Sequence, residues 1–135
     1  MTPFAVQLRA IRTTFGLAQG EFARRIGFRQ NYISAIECGA KLPKDSTLVD
    51  RTIAALELDT ASAQALSEAL QLSRPLDFPQ QGTPAFAYAL CARFFRMTPK
   101  FTQGDVKALQ EFLNVIDRAQ RSTDLPETQS AQKAA

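Results

Sequence analysis

The sequence predicts an all-α protein. Apolar residues recur three or four positions apart, for example at Phe4, Leu8 and Ile11 near the start of the chain and at Val106 and Leu109 near its end. This spacing places side chains on one face of a helix. Glycines and prolines, which end or interrupt helices, fall mostly between such stretches. We therefore expect a series of short helices joined by short loops.

The length and the residue types argue against several classes of protein. At 135 residues the chain suits one core, or a small domain with an extension. It has no histidine, so the commonest general base of enzymes is missing. Cys38 and Cys91 lack the spacing of metal ligands or of a catalytic Cys/His pair, and we expect them to be reduced thiols acting as small apolar residues. We therefore predict a protein that is not an enzyme and that has no metal or cofactor.

The beginning of the chain does not have the pattern of a signal peptide, because residues 1–12 are amphipathic and contain no apolar block. The longest uncharged apolar run, residues 85–92, is far too short to cross a bilayer. The predicted location is therefore the cytoplasm, with no membrane partner.

Residues 19–39 predict two short helices separated by one tight turn. Ala23 is small enough to let the second of these helices approach the first closely. Gly27 can adopt the positive φ that a sharp helix end requires. Ile33 and Ile36 are three residues apart, so they share the inward face of the second helix. Two helices that cross steeply at a glycine turn form a helix-turn-helix.

Positive charge is concentrated in the same part of the chain. Residues 1–44 contain seven basic and two acidic residues, a net charge of +5, whereas the remainder contains nine basic and eleven acidic residues, a net charge of −2. Such a concentration is typical of a surface that binds phosphates, because neutralising each phosphate releases condensed counterions. A solvated basic face that binds nothing is the alternative.

The predicted helix from Gln30 to about Cys38 carries side chains suited to reading bases. Its outward positions hold Gln30, Asn31, Ser34 and Ala35. Glutamine and asparagine can form two hydrogen bonds with adenine, and arginine can do so with guanine. The alternative is an ordinary polar surface exposed to solvent.

At these residues the sequence resembles the lambda-repressor-like, Cro-type (XRE-like) helix-turn-helix family. The resemblance extends from Leu8 to Leu72 and depends on a set of residues taken together: Leu17, Gln19, Ala23, Gly27, Tyr32, Ile33, Ile36, Glu37 and Gly39. It implies a DNA-binding domain of five helices over residues 1–73. A plain pair of packed helices is the alternative for residues 19–39.

The resemblance also implies roles for individual residues. The residues expected to contact bases are Arg29, Gln30, Asn31, Ser34 and Ala35, and those expected to contact the DNA backbone are Gln19, Lys41 and Lys44. Arg12 and Glu37 occupy the positions of a structural salt bridge between the first and third helices, which we expect to be partly buried. Arg29 stands where relatives often have a serine or threonine cap, so we expect the third helix to begin without one.

The resemblance ends before the C-terminal part of the chain. Residues 74–84 contain three prolines and a glycine and are predicted to be a linker. Residues 85–121 predict a helical hairpin with a wide apolar face for dimerisation or partner binding, made of Phe86, Leu90, Phe94, Leu109, Phe112, Leu113 and Ile116. This face could equally pack within its own chain. Residues 122–135 are polar, and we expect a disordered tail.

Two functions are consistent with these features. The resemblance implies a sequence-specific transcriptional regulator, in particular a repressor that binds double-stranded DNA at a palindromic operator as a homodimer, with the third helix in the major groove. The alternative is a protein-interaction module, such as an antitoxin, whose C-terminal hairpin binds a partner protein.

Overall fold

The structure, a computed structural model, describes residues 1–124. Within this range the chain forms seven α-helices and no β-strand, which confirms the predicted all-α class. The helices are α1 (Pro3–Thr14), α2 (Gln19–Ile26), α3 (Gln30–Glu37), α4 (Thr47–Leu56), α5 (Thr60–Ser73), α6 (Tyr88–Met97) and α7 (Gln103–Asp124). Short 3₁₀ turns, Ala85–Ala87 and Thr98–Lys100, precede and follow α6.

The described chain divides into two compact units, the first being Met1–Leu76 and the second beginning at Asp77. The first unit contains α1 to α5, and its core includes Phe4, Leu8, Phe22, Ile33, Ile36, Leu48 and Leu66, all at most 1% exposed. In this core α1 packs on α3 and α5, and α2 packs on α3 and α4. Burying each such side chain stabilises the fold by about 1.5–3 kcal/mol. Because α3 contributes two of these side chains, its orientation is set by the core.

The helices of the first unit begin and end where local chemistry favours it. Thr2 caps α1 by accepting a hydrogen bond from the amide of Ala5 at 3.1 Å, and Pro3 occupies the first turn. Asp59 caps α5 by accepting a hydrogen bond from the amide of Ser62 at 2.7 Å. These bonds satisfy amide groups that would otherwise lack a partner at the start of a helix.

The cap at Asp59 makes stability depend on pH. The hydrogen bond from the Ser62 amide lowers the pKa of Asp59 in the folded state. The cap therefore contributes stability above the unfolded-state pKa and loses it as the pH falls through the native value. We expect Asp59→Asn, which can still cap, to reduce the loss of unfolding free energy between about pH 5 and pH 3. Urea unfolding at each pH measures this loss, and equal losses for the two proteins would contradict the assignment.

The second unit has little core of its own. Three of its aromatic rings lie close together: the ring centroid of Phe94 lies 6.1 Å from that of Phe78 and 5.4 Å from that of Phe101. Leu90, Phe94 and Leu109 line an open groove of about 500 Å³ between α6 and α7, but the backbones of the two helices are not closely packed. No residue of this unit is buried over the part that the structure describes. The pair predicted as a hairpin is therefore an open pair of helices.

The last helix is longer than predicted. It continues to Asp124, three residues past the expected end at Arg121. The hydroxyls of Ser122 and Thr123 donate to carbonyls one turn earlier, and Arg121 forms an ion pair with Asp117 at 2.8 Å, so the polar residues extend the helix. The rest of the predicted tail, residues 125–135, lies outside the described residues. None of the described helices is long and apolar enough to cross a membrane.

Candidate nucleic-acid interface

Helix α3 has one buried side and one exposed side. Ile33 and Ile36 are fully buried in the core, whereas Gln30, Asn31 and Ser34 are exposed. Arg29, just before the helix, is also exposed, and Ala35 is half-buried. The five residues predicted to contact bases thus lie at the start of α3 or along its outer side, where a ligand can reach at least four of them.

The turn between α2 and α3 is as tight as the glycine predicts. Gly27 has φ 75°, a left-handed conformation that favours glycine. The amide of Phe28 donates to the carbonyl of Ala23 at 2.9 Å and that of Gly27 donates to Arg24 at 3.2 Å, which closes the end of α2. Arg29 then starts α3 in an extended conformation without any side-chain cap, as expected.

Arg12 and Glu37 form a buried ion pair that joins α1 to the end of α3. The Arg12 side chain is 11% exposed and that of Glu37 is 4% exposed. Nε of Arg12 donates to Oε1 of Glu37 at 2.6 Å, Nη2 donates to Oε2 at 3.0 Å, and Nη1 donates to the Leu17 carbonyl at 2.6 Å. The hydrogen bond with Glu37 raises the pKa of Arg12. This geometry places the pair in the framework that supports α3.

Gln19 also belongs to this network. Its Nε2 donates to Oε2 of Glu37 at 2.8 Å, so the first residue of α2 is tied to the last residue of α3. Gly20 follows, and a Cβ there would lie 3.2 Å from Oε1 of Gln30. The absence of a side chain at Gly20 therefore leaves room for Gln30 to lie over the start of α2. The start of α2 therefore contacts both ends of α3: Glu37 of the structural ion pair and Gln30, which is predicted to contact bases.

The loop after α3 keeps its lysines next to the helix. The amides of Ala40 and Lys41 both donate to the carbonyl of Ala35, at 2.9 and 3.1 Å. Lys41 and Lys44 line an open cleft that also includes Tyr32 of α3. Over residues 1–124, no carboxylate forms an ion pair with Arg29, Lys41 or Lys44. These three cations are thus available to an external anion, whereas Arg24 and Arg25 are paired with Glu21.

Sequence reasoning missed one residue beside the turn, Arg51 of α4. Its Nη1 donates to the carbonyl of Gly27 at 3.3 Å, with that of Ile26 at 3.5 Å, and its guanidinium lies 5.1 Å from the centre of the Phe28 ring. Phe28 in turn stacks on Tyr32, with ring centroids 5.5 Å apart. No local sequence motif predicts these contacts, because Arg51 is 24 residues from Gly27. The one available signal was a large aromatic residue in a tight turn.

The possible metal ligands in the described range are its acidic side chains and its cysteines. Residues 1–124 contain no group of three or more His, Cys, Asp or Glu side chains that could hold a metal ion. Both cysteines are free thiols. Cys91 is partly buried, but Cys38 is exposed at the end of α3, so the expected role as a small apolar residue does not describe it.

Comparison with known proteins agrees with this geometry. Residues 8–50 match a family model described as helix-turn-helix. The matched segment contains both α2 and α3, the Arg12–Glu37 pair and the two loop lysines. No curated protein and no solved structure matches the chain. The match supports a lambda-repressor/Cro-like helix-turn-helix over residues 8–50, and with it a DNA-binding transcription regulator of the XRE type.

Proposed function

We propose that the protein is a sequence-specific repressor that binds a palindromic operator as a homodimer, with α3 in the major groove. The observation that carries this proposal is the two-sided character of α3, which is anchored in the core by Ile33 and Ile36 and exposes Gln30 and Asn31 at its leading end. The major groove is about 12 Å wide and admits one α-helix. Occupying the operator is enough to block transcription, so repression needs no additional activity.

The exposed side chains of α3 and its preceding turn suit direct reading of bases. The amides of Gln30 and Asn31 match the donor and acceptor of adenine in the major groove, and the guanidinium of Arg29 matches the two acceptors of guanine. Ser34 can bond to either kind of group, and the methyl of Ala35 suits contact with the methyl of thymine. We assign sequence discrimination to these five positions.

The lysines of the following loop suit the DNA backbone. Lys41 and Lys44 lack ion-pair partners among residues 1–124 and lie in the loop tied to Ala35. Contacts with phosphate position a protein on the duplex but carry no sequence information. Gln19 was expected to contact the backbone as well. Its bond to Glu37 uses one of its two amide hydrogens, so a second remains for a phosphate oxygen.

A second copy of the chain is the occupant that we assign to the apolar face of α6 and α7. Phe86 is 89% exposed, and Leu90 and Phe112 are 70% exposed. Burying a whole aromatic side chain removes about 150–250 Å² from water. The area buried by several such side chains therefore approaches the roughly 800 Å² that each partner buries in a standard interface. A dimer also suits major-groove readers, which bind half-sites about 10 base pairs apart.

Replacing the proposed base readers should reduce specificity. We expect Gln30→Ala and Asn31→Ala each to cost about 1–3 kcal/mol on the preferred duplex, while binding to an unrelated duplex changes little. Titration of both duplexes by fluorescence anisotropy measures the two affinities. Equal weakening on both duplexes would contradict the assignment of these side chains to bases.

Replacing the loop lysines, which we propose to contact phosphates, is the comparison for the Gln30 and Asn31 variants. Lys41→Ala and Lys44→Ala should weaken binding to every duplex and should each reduce the salt slope, the dependence of log K on log salt concentration, by about one unit. Anisotropy titrations at four salt concentrations measure this slope. An unchanged slope would show that these lysines do not contact phosphates.

The alternative function uses the same apolar face. If the face binds a different protein, the chain is an interaction module of the antitoxin kind, and DNA binding serves autoregulation or is absent. The exposed apolar residues of α6 and α7 are compatible with either occupant. The oligomeric state of the native chain and of a Phe112→Glu variant distinguishes them, since a homodimer that this substitution separates uses the face itself.

A further inference from the structure

We propose that Arg51 of α4 is a positioning residue for DNA recognition, which holds the start of α3 in the orientation that base reading requires. This inference rests on the proposed function. It assigns to α4, which supplies none of the residues predicted to contact DNA, a part in the specificity of α3.

The start of α3 is held by a contact from α4. Arg29 provides no side-chain cap, so the usual fixation of a helix start is missing. The turn before it is anchored instead at Gly27 and Ile26, whose carbonyls face Nη1 of Arg51 at 3.3 and 3.5 Å. A cation at the end of α2 also interacts favourably with the partial negative charge there. Arg51 thus fixes the turn from the side of α4.

Arg51 also contacts an aromatic stack. The Arg51 guanidinium lies 5.1 Å from the centre of the Phe28 ring, and that ring stacks on Tyr32 at 5.5 Å with an angle of 25° between the planes. Phe28 immediately precedes Arg29 and Tyr32 immediately follows Asn31. Phe28 and Tyr32 therefore flank in sequence the residues at the start of α3 that we propose to contact bases. Arg51 contacts the Phe28 ring and so helps to hold the two rings in place.

Arg51 fits closely against Gly27. A Cβ at Gly27 would lie 3.0 Å from Nη1 of Arg51, so the guanidinium would have to shift by a few tenths of an ångström to accommodate it. Glycine thus serves both the left-handed turn and the approach of Arg51. Lysine cannot replace arginine in this arrangement, because only the planar guanidinium can donate to the carbonyls and stack on the ring together.

The test uses the full chain with Arg51→Lys and Arg51→Met, and with Arg9→Met on exposed α1 as the control. Each protein is titrated against two probes, a duplex that the native chain enriches from a random pool and the unselected pool itself. We expect both Arg51 variants to lower the ratio of selected to unselected affinity roughly three- to tenfold. Arg51→Lys should leave the salt slope unchanged, and Arg9→Met should leave the ratio unchanged.

Two outcomes with DNA would overturn the proposal. An unchanged affinity ratio in both variants would make Arg51 a structural residue only. Equal weakening on both probes, with the salt slope reduced by about one unit in Arg51→Met but not in Arg51→Lys, would make it a phosphate contact.

A measurement without DNA separates this inference from the proposed function. In the free protein, Arg51→Met should shift the NMR amide signals of Gln30 and Asn31, whereas Arg9→Met should not. Unshifted signals would overturn the positioning role even if the native chain selects a sequence. If the signals shift but the native chain enriches no duplex, the proposed function fails and the specificity role of Arg51 fails with it, while its structural effect on the turn stands.

Discussion

Arg12→Met should lower the free energy of unfolding by about 3–5 kcal/mol. Arg12 donates two hydrogen bonds to Glu37, whose side chain is 4% exposed, and a third to the Leu17 carbonyl. Removing the cation leaves a buried carboxylate with only the amide of Gln19 as a partner. Such an uncompensated charge costs far more than the loss of a surface ion pair, which is about 0–1 kcal/mol.

Urea unfolding followed by circular dichroism measures this loss, and Arg9→Met on the exposed side of α1 is the control. The double variant Arg12→Met/Glu37→Leu should recover much of the stability, because replacing a buried pair by apolar residues is often neutral. A loss below about 1 kcal/mol in Arg12→Met would show that water screens the pair and that it does not brace α3.

Phe112→Glu should separate the proposed dimer and weaken binding to a two-half-site operator by about 100- to 10,000-fold. The loss is large because the second half-site is then no longer bound at the high effective concentration that linkage provides. Phe112 is 70% exposed within its own chain, so the variant should fold normally. Binding to a single half-site should change little.

Analytical ultracentrifugation measures the oligomeric state, and anisotropy on one-half-site and two-half-site duplexes measures the affinities. Asn114→Glu is the matched control, because it places the same charge on the same helix outside the apolar stripe. A native chain that sediments as a monomer would contradict the homodimer and would favour the alternative in which a different protein covers α6 and α7. A Phe112→Glu chain that remains dimeric would move the interface elsewhere.

The first unit could be predicted because its local signals agree with its packing. Phe4, Leu8 and Ile11 at helical spacing are the side chains that α1 buries, and Gly27 has the left-handed conformation expected of it. The turn and the two buried isoleucines of α3 follow from the same short stretch. Where the apolar spacing, the capping residues and the helix-ending residues indicate the same helix, the sequence alone is sufficient to predict it.

Contacts between distant elements were harder to predict. The pair of Arg12 and Glu37 came from the family resemblance, since no local rule links residues 25 positions apart. Arg51 was missed because its role depends on where α4 passes the turn, which periodicity does not determine. Its partner Phe28 was noticeable only as a bulky residue in an unusual place.

For the C-terminal unit, the sequence predicts an apolar surface but not what covers it. The apolar stripe of α7 was evident from the positions of Leu109, Phe112 and Ile116, but a stripe does not indicate what covers it. In the structure α6 and α7 share an open groove and leave most of these side chains exposed. The pattern predicts an apolar face, and the occupant that we propose for it is a second copy of the chain.

Selection of bound sequences from a random duplex pool by the full native chain tests the central claim most directly. If α3 enters the major groove of a symmetric site, the pool should converge on one two-fold consensus with half-sites about 10 base pairs apart. The Gln30→Ala/Asn31→Ala chain should lose preference within those half-sites. A pool that shows no enrichment, or the same enrichment with that variant, would contradict base reading by α3.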